Sequence, residues 1–177
     1  MKIYFLFLFL VLNLVASAQG TDSDTSRSVT RINRAMYSLA YPDSWTADTS
    51  KMFGVDLFLR SPKVDSLDQF IENINVFVQN LSGLNYDLNK MGKESEAQIK
   101  KMVTDIEILE NRLDSSSKTP YYTLRYRGRQ GKFLLITEQR YFLVNYVGFA
   151  LTFTAQNGKE ADYKLTAQAI FDSFNLL

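Results

Sequence analysis

Cysteine and histidine are both absent from the 177 residues, and proline occurs only three times. Without a thiol or an imidazole there is no disulfide, thiolate cluster, His-held zinc or Ser-His-Asp triad, because each needs a group the chain lacks. Carboxylates, hydroxyls, amines and the backbone are the reagents that remain. The chain also has no G-x-S-x-G and no Gly-rich phosphate loop, which removes the usual settings for acyl and phosphoryl transfer. The expectation is a non-enzyme with no cofactor and no metal. Charge of either sign is likewise not in excess, with 20 Lys and Arg against 19 Asp and Glu.

What is there begins at the first residues. Lys2 precedes an almost unbroken apolar run from Ile3 to Val15, and Ala16-Ser17-Ala18 then places small residues at alternate positions. A positive start, a short apolar run and an Ala-x-Ala site are the parts of an export signal, and the run is too short for a membrane span of about 20 residues. Residues 1–18 are therefore read as a signal peptide, with the mature chain starting at Gln19 and retaining no integral membrane span. Removing Lys2 leaves 19 basic and 19 acidic residues. A mature net charge of zero gives no general attraction to nucleic acid. The lack of Cys at the cleavage point excludes a lipid anchor there. Export without disulfides points to a bacterial periplasmic or secreted protein whose stability rests on its core.

Residues 19–33 are mostly Gly, Thr, Asp, Ser and Arg, and are expected to form a flexible lead-in to a single domain over 34–177. Alternation predicts strands over Met36–Tyr41, Phe53–Arg60 and Ile71–Gln79, the first closed by a Pro42-Asp43-Ser44 turn. Leu88, Met91, Ser95, Ile99 and Met102 then recur at helical spacing, so Asp87–Val103 is an amphipathic helix with Asp87 as its cap. Further strands follow over Asp105–Arg112, Tyr121–Arg127, Lys132–Val144 and Tyr146–Ala155. Gly128-Arg129-Gln130-Gly131 is the expected hairpin turn and Asn145 the next reversal. From Glu160, the stripe Tyr163, Ala167, Ile170, Phe171 and Phe174 predicts a closing helix. The class is α+β: one central antiparallel sheet of about seven strands flanked by helices, in the order βββ-α-ββββ-α.

Tyr37-x-x-x-Tyr41-Pro42-x-x-Trp45, the Phe-Ile-Glu-Asn-Ile-Asn-Val segment at 70–76, the mid-chain helix and the closing Phe171-Asp172-Ser173-Phe174 resemble the PsbP-like family, which includes Mog-type and DcrB-like proteins. The resemblance runs over about residues 34–176. It implies a sheet flanked by helices, and a role in binding or stabilising other proteins instead of catalysis. Tyr41, Pro42, Trp45 and Phe174 carry over as structural residues only. The His residues of metal-binding members and the lipobox Cys of envelope lipoproteins are missing here, so no metal site carries over.

The most unusual local feature is the run from Arg125 to Lys132, in which Arg125, Arg127, Arg129 and Lys132 stand without an intervening acid. Alternation puts Arg125 and Arg127 on one face of a strand and Tyr122, Leu124 and Tyr126 on the other. Such a face either guards a solvated edge or holds an anionic group: a phosphate head group, lipopolysaccharide or an acidic protein loop. Asp105 with Glu107, and Glu138 with Arg140, share strand faces, but the sequence sets no second element beside either. Nine aromatics between 119 and 153 suggest strands covered on both faces, and leave room for an apolar groove. The expected function is an exported, non-catalytic accessory module that binds a protein or an anionic envelope component. The alternative is a carrier of a hydrophobic small molecule held between sheet and helix.

Overall fold

The computed structural model describes residues 28–66 and 68–177. The expected signal peptide, and the lead-in up to residue 27, lie outside the described residues. The chain joins the fold earlier than Arg34. Val29–Asn33 forms β1 and pairs antiparallel with β2 (Tyr37–Pro42), matching Ile32 with Leu39. Backbone pairing orders this polar stretch where side-chain burial alone would not.

Two sheets form. The larger has seven strands in the order β3-β4-β5-β9-β8-β7-β6, all neighbours antiparallel. They are β3 (Thr46–Asp48), β4 (Leu57–Arg60), β5 (Asn73–Asn80), β6 (Thr104–Asp114), β7 (Tyr121–Gln130), β8 (Phe133–Val144) and β9 (Val147–Gln156). The smaller sheet is β1-β2-β10, where β10 (Asn175–Leu176) returns from the C-terminus. The number of strands in the main sheet matches expectation, but its membership differs: the strand expected at Met36–Tyr41 sits in the small sheet, and β3 takes its place.

The strand expected from Phe53 starts instead at Leu57, because Met52–Gly54 is a 3-10 turn with left-handed backbone at Lys51 and Gly54. Asp56, at the strand's mouth, accepts a two-pronged hydrogen bond from Arg34 at 3.0 and 3.2 Å and one from the Tyr37 hydroxyl at 2.9 Å. These bonds hold the Asp56 carboxyl below the usual carboxylate range, the Arg34 guanidinium first among the causes. The small sheet is thereby pinned to the large one.

α1 (Leu88–Met102) begins at Asp87, whose carboxylate accepts from the Lys90 amide at 2.7 Å. It packs on β6, β7 and β8. There Met91, Ile99 and Val103 meet Tyr122, Leu124, Tyr126, Tyr141 and Ala150. α2 (Glu160–Asp172) packs on the opposite face, against β9 and β2. Ala167, Ile170 and Phe171 meet Phe142, Phe149, Leu151 and Phe153 there, together with Tyr37 and Leu39. Alternation along β8 and β9 divides the two cores cleanly: Tyr141 and Ala150 face α1, Phe142 and Phe149 face α2.

Trp45 is buried, edge-on to Tyr163 at 6.4 Å, and its amide donates to the Pro42 carbonyl. Tyr41 packs partly buried on the same core. Phe174 stands just beyond α2, with its ring 5.2 Å from Tyr37, 5.1 Å from Phe142 and 6.0 Å from Phe149.

Candidate functional site

The basic run lies on β7, and the register moves its turn. Gln130 pairs with Phe133, so the reversal is Gly131-Lys132, with Gly131 at φ 56°. Positive φ at the first turn residue alone fits a type II′ hairpin. Gly128, expected in the turn, lies inside the strand for another reason. A Cβ there would come within 2.2 Å of Val103 Cγ1, where the end of α1 crosses the sheet. β7 is also not an edge: β6 covers it from Thr104 to Asp114.

The acids absent from the run itself are supplied by β6. Glu107 pairs with Arg127, and Asp105 pairs with Arg129 at 3.3 Å. All four side chains are 42% or more exposed, so these pairs add little stability. Lys132, at the hairpin tip, donates to Gln69 and lies over the Phe133 ring at 5.1 Å.

Arg125 differs from them. It is partly buried and makes no hydrogen bond or ion pair with any described residue. It lines a cleft of about 250 Å³. The floor is the flank of the main sheet that α2 leaves uncovered: Glu110 and Arg112 from β6, Tyr121 and Thr123 beside Arg125 on β7, Ile136, Glu138 and Arg140 from β8. Phe153 closes the inner end, and Glu160, Lys164, Ala167, Gln168 and Phe171 of α2 form the wall.

Register explains why one arginine is left over. Two rows run side by side across the strands, Glu110–Arg125–Glu138 and Arg112–Thr123–Arg140. Cross-strand neighbours lie about 5 Å apart at Cβ, so either acid of the first row would suit Arg125. Both are engaged along their own strands instead. Glu110 accepts from Arg112 at 2.6 Å, and Glu138 lies 3.5 Å from Arg140. Arg112 also reaches Asp114 at 3.3 Å. Arg140 is fixed from above by Asp172 at 3.1 Å and Gln168 at 2.9 Å, and sits between the rings of Tyr121 and Phe171 at 5.2 and 4.8 Å.

A second cluster of carboxylates lies in the loop before β5. Asp68 and Glu72 are both buried. Asp68 accepts from Lys159 at 3.0 Å, and Glu72 accepts from the Gln156 amide at 3.4 Å. Burial, with Asp68 nearby, raises the Glu72 carboxyl above its ordinary range. These contacts tie the loop to the β9–α2 connection, and their role is structural. A Ser-x-x-Lys spacing occurs at Ser115–Lys118, in the exposed turn before β7. Its neighbours Ser116 and Ser117 are occupied by Asp114 and the Thr119 carbonyl.

The structure thus puts Arg125 in a cleft and commits Arg127, Arg129 and Lys132 elsewhere. The sequence pattern places Glu138 and Arg140 on one strand face, but does not single out Glu110, Arg112, Lys164 or Gln168. The available signal was charge at alternate positions of otherwise apolar strands; only pairing shows that those positions meet. Among the described residues no group of three or more carboxylates could hold a metal ion, and no helix is long and apolar enough to cross a membrane.

No protein-family model matches the chain, and no curated protein matches it in sequence. Its fold has solved counterparts. The cyanobacterial PsbP of Synechocystis superposes with a TM-score of 0.64 at 16% identity, over 92% of this chain and 99% of that one. LpqN of Mycobacterium tuberculosis, described as involved in cell envelope biogenesis, gives 0.62 at 13% identity, over 84% and 90%. A Pseudomonas aeruginosa protein of unknown function, PA94, gives 0.56 at 11%, over 79% and 91%. The chain has the PsbP-like fold; at these identities the likeness speaks for the fold alone.

Proposed function

We propose that the protein is an exported, non-catalytic accessory module that binds a protein or an anionic envelope component, and that the cleft between β6–β8 and α2 is where it does so. The observation that carries this reading is Arg125: a half-buried arginine with no partner among the described residues, in a cleft whose other two arginines each have carboxylate partners. A charge partly withdrawn from water gains from a partner, so a ligand anion is the natural complement. Arg127, Arg129 and Lys132 lie further along the same hairpin and would extend the contact of a larger partner. The export-like N-terminus and the involvement of LpqN in cell envelope biogenesis support placement outside the cytoplasm.

The carboxylates of the cleft argue for binding over chemistry. Glu110 and Glu138 are held by neighbouring arginines, and Glu160 accepts from the Gly158 amide at 2.6 Å. A hydrophobic carrier would need an apolar chamber under α2, where Ala167, Ile170 and Phe171 are instead packed against the sheet.

The test is to express tagged wild type and Arg125→Gln in the native cell, cross-link, and compare what co-purifies from the envelope fraction. Because Arg125 is half-buried and has no partner among the described residues, Arg125→Gln should change stability by no more than about 0.5 kcal/mol, roughly 1–2 °C in a melt for a chain of this size. A component bound by wild type and lost from the variant is expected. Identical sets would sink the cleft as the site. The mass of the recovered protein should start at Gln19; an intact Met1 would contradict export by cleavage.

A further inference from the structure

We infer that the cleft takes a single carboxylate joined to a short apolar group, and discriminates against dianionic phosphate. The inference rests on the cleft being the binding site and concerns what fills it.

Charge decides the valence. Four cations and three carboxylates line the cleft, and Asp114 and Asp172 just outside it take a share of Arg112 and Arg140, so little positive charge is left for a second negative one. Of the cations, Arg112 and Arg140 are already paired; Arg125 on the floor and exposed Lys164 on the wall are not. Glu110 and Glu138 flank Arg125 on both sides in register. A planar carboxylate satisfies the two-pronged guanidinium with one negative charge. A phosphate dianion in that position would bring a second charge beside two acids that are cross-strand neighbours of Arg125, and like charges repel at close range.

A second donor stands beside the first. Thr123 is two residues along the strand from Arg125, on the same face, 4% exposed, and its hydroxyl bonds to no described residue. A carboxylate on Arg125 gives that hydroxyl an acceptor. The apolar preference comes from the inner end, where Ile136, Phe153 and Phe171 line the same space. With about 250 Å³ available, a group of a few carbons fits and a long acyl chain does not. Two sources offer this chemistry: a free short-chain acid, or the carboxyl terminus of a partner chain ending in a small apolar residue.

Titration of the purified protein, followed by backbone amide shifts at pH 8, uses butyrate, acetate, butanol and butyl phosphate, the last a dianion there. Butyrate should move the amides of Thr123, Arg125 and Gln168, bind at least tenfold tighter than butanol, and exceed both acetate and butyl phosphate. Arg125→Gln should weaken butyrate at least tenfold with an unchanged melting temperature. Glu138→Gln, which removes one flanking charge, should raise butyl phosphate affinity more than butyrate affinity, a gain that misfolding cannot imitate. A valine-ended peptide, as free acid and as amide, separates the sources: a tenfold advantage of the peptide acid over butyrate assigns the site to a chain terminus, parity to a free acid.

Butyl phosphate binding as tightly as butyrate, or butyrate binding unchanged by Arg125→Gln, overturns the inference. If no probe binds while Arg125→Gln still loses its envelope component, the ligand class is wrong and the site stands. If that component is also retained, both fall.

Discussion

Arg140 donates to Asp172 and Gln168 and lies between two aromatic rings, with 9% of its side chain exposed. Replacing it by Ala removes hydrogen bonds, packing and the lock between α2 and β8. Urea unfolding should show a loss of about 2–4 kcal/mol; a change below 0.5 kcal/mol would show that α2 is held by its apolar stripe alone. Glu72 gives a pH handle. Its carboxyl, raised by burial from an ordinary value of 4.5, keeps its proton in the folded state where the unfolded chain releases it. The stability this contributes is present below 4.5 and is lost as pH climbs through the raised value. Glu72→Gln carries no such titration, so its stability relative to wild type should rise between pH 4 and 7; parallel stability curves would refute the assignment. Neither role was legible in the sequence. Arg140 reads as one half of a same-strand charge pair, because its stacking partners come from β7 and α2, and Glu72 reads as a residue of the strand expected from Ile71, which instead starts at Asn73.

Elements were more legible than their edges. The Asp87 cap and the helical spacing located α1 within one residue at each end, because capping and amphipathic period are local signals. Turns fared less evenly. Asn145 does mark a reversal, sharing positive φ with Tyr146 as a type I′ turn requires. The turn expected over Gly128–Gly131 is instead Gly131-Lys132, since only Gly131 serves the turn and Gly128 makes room for Val103 inside the strand. Gly92 in α1 makes the same point and can be tested. A Cβ there would fall 2.3 Å from the Tyr122 ring, so the helix comes close to the sheet only because that side chain is missing. Helix propensity alone favours Gly92→Ala by about 1 kcal/mol. Overpacking should reverse the sign and cost about 1–3 kcal/mol net. Thermal melts decide it, and a stabilised variant would mean that α1 can lift off the sheet at little cost.

At the scale of the molecule, the C-terminal segment closes the structure. Phe174 touches rings from β2, β8 and β9, and β10 then pairs with β2, so one short stretch joins the small sheet to the main one. Phe174→Ala should cost about 3 kcal/mol, toward the lower end for aromatic truncation because the ring is only partly buried. Hydrogen exchange should show β1 and β2 losing protection before β7–β9; uniform loss would mean the two sheets unfold as one unit. The sequence by itself determined the class, the helices, most strands and the exclusion of thiol and imidazole chemistry, because these follow from residue type and local periodicity. Only the tertiary structure decided that the first strand belongs to a second sheet and that β6 shields the basic hairpin. It also decided that of four basic residues in one run, Arg125 alone is left unpaired in a cleft. Those outcomes depend on cross-strand register and on where α2 stops covering the sheet, which are contacts between residues far apart in the chain.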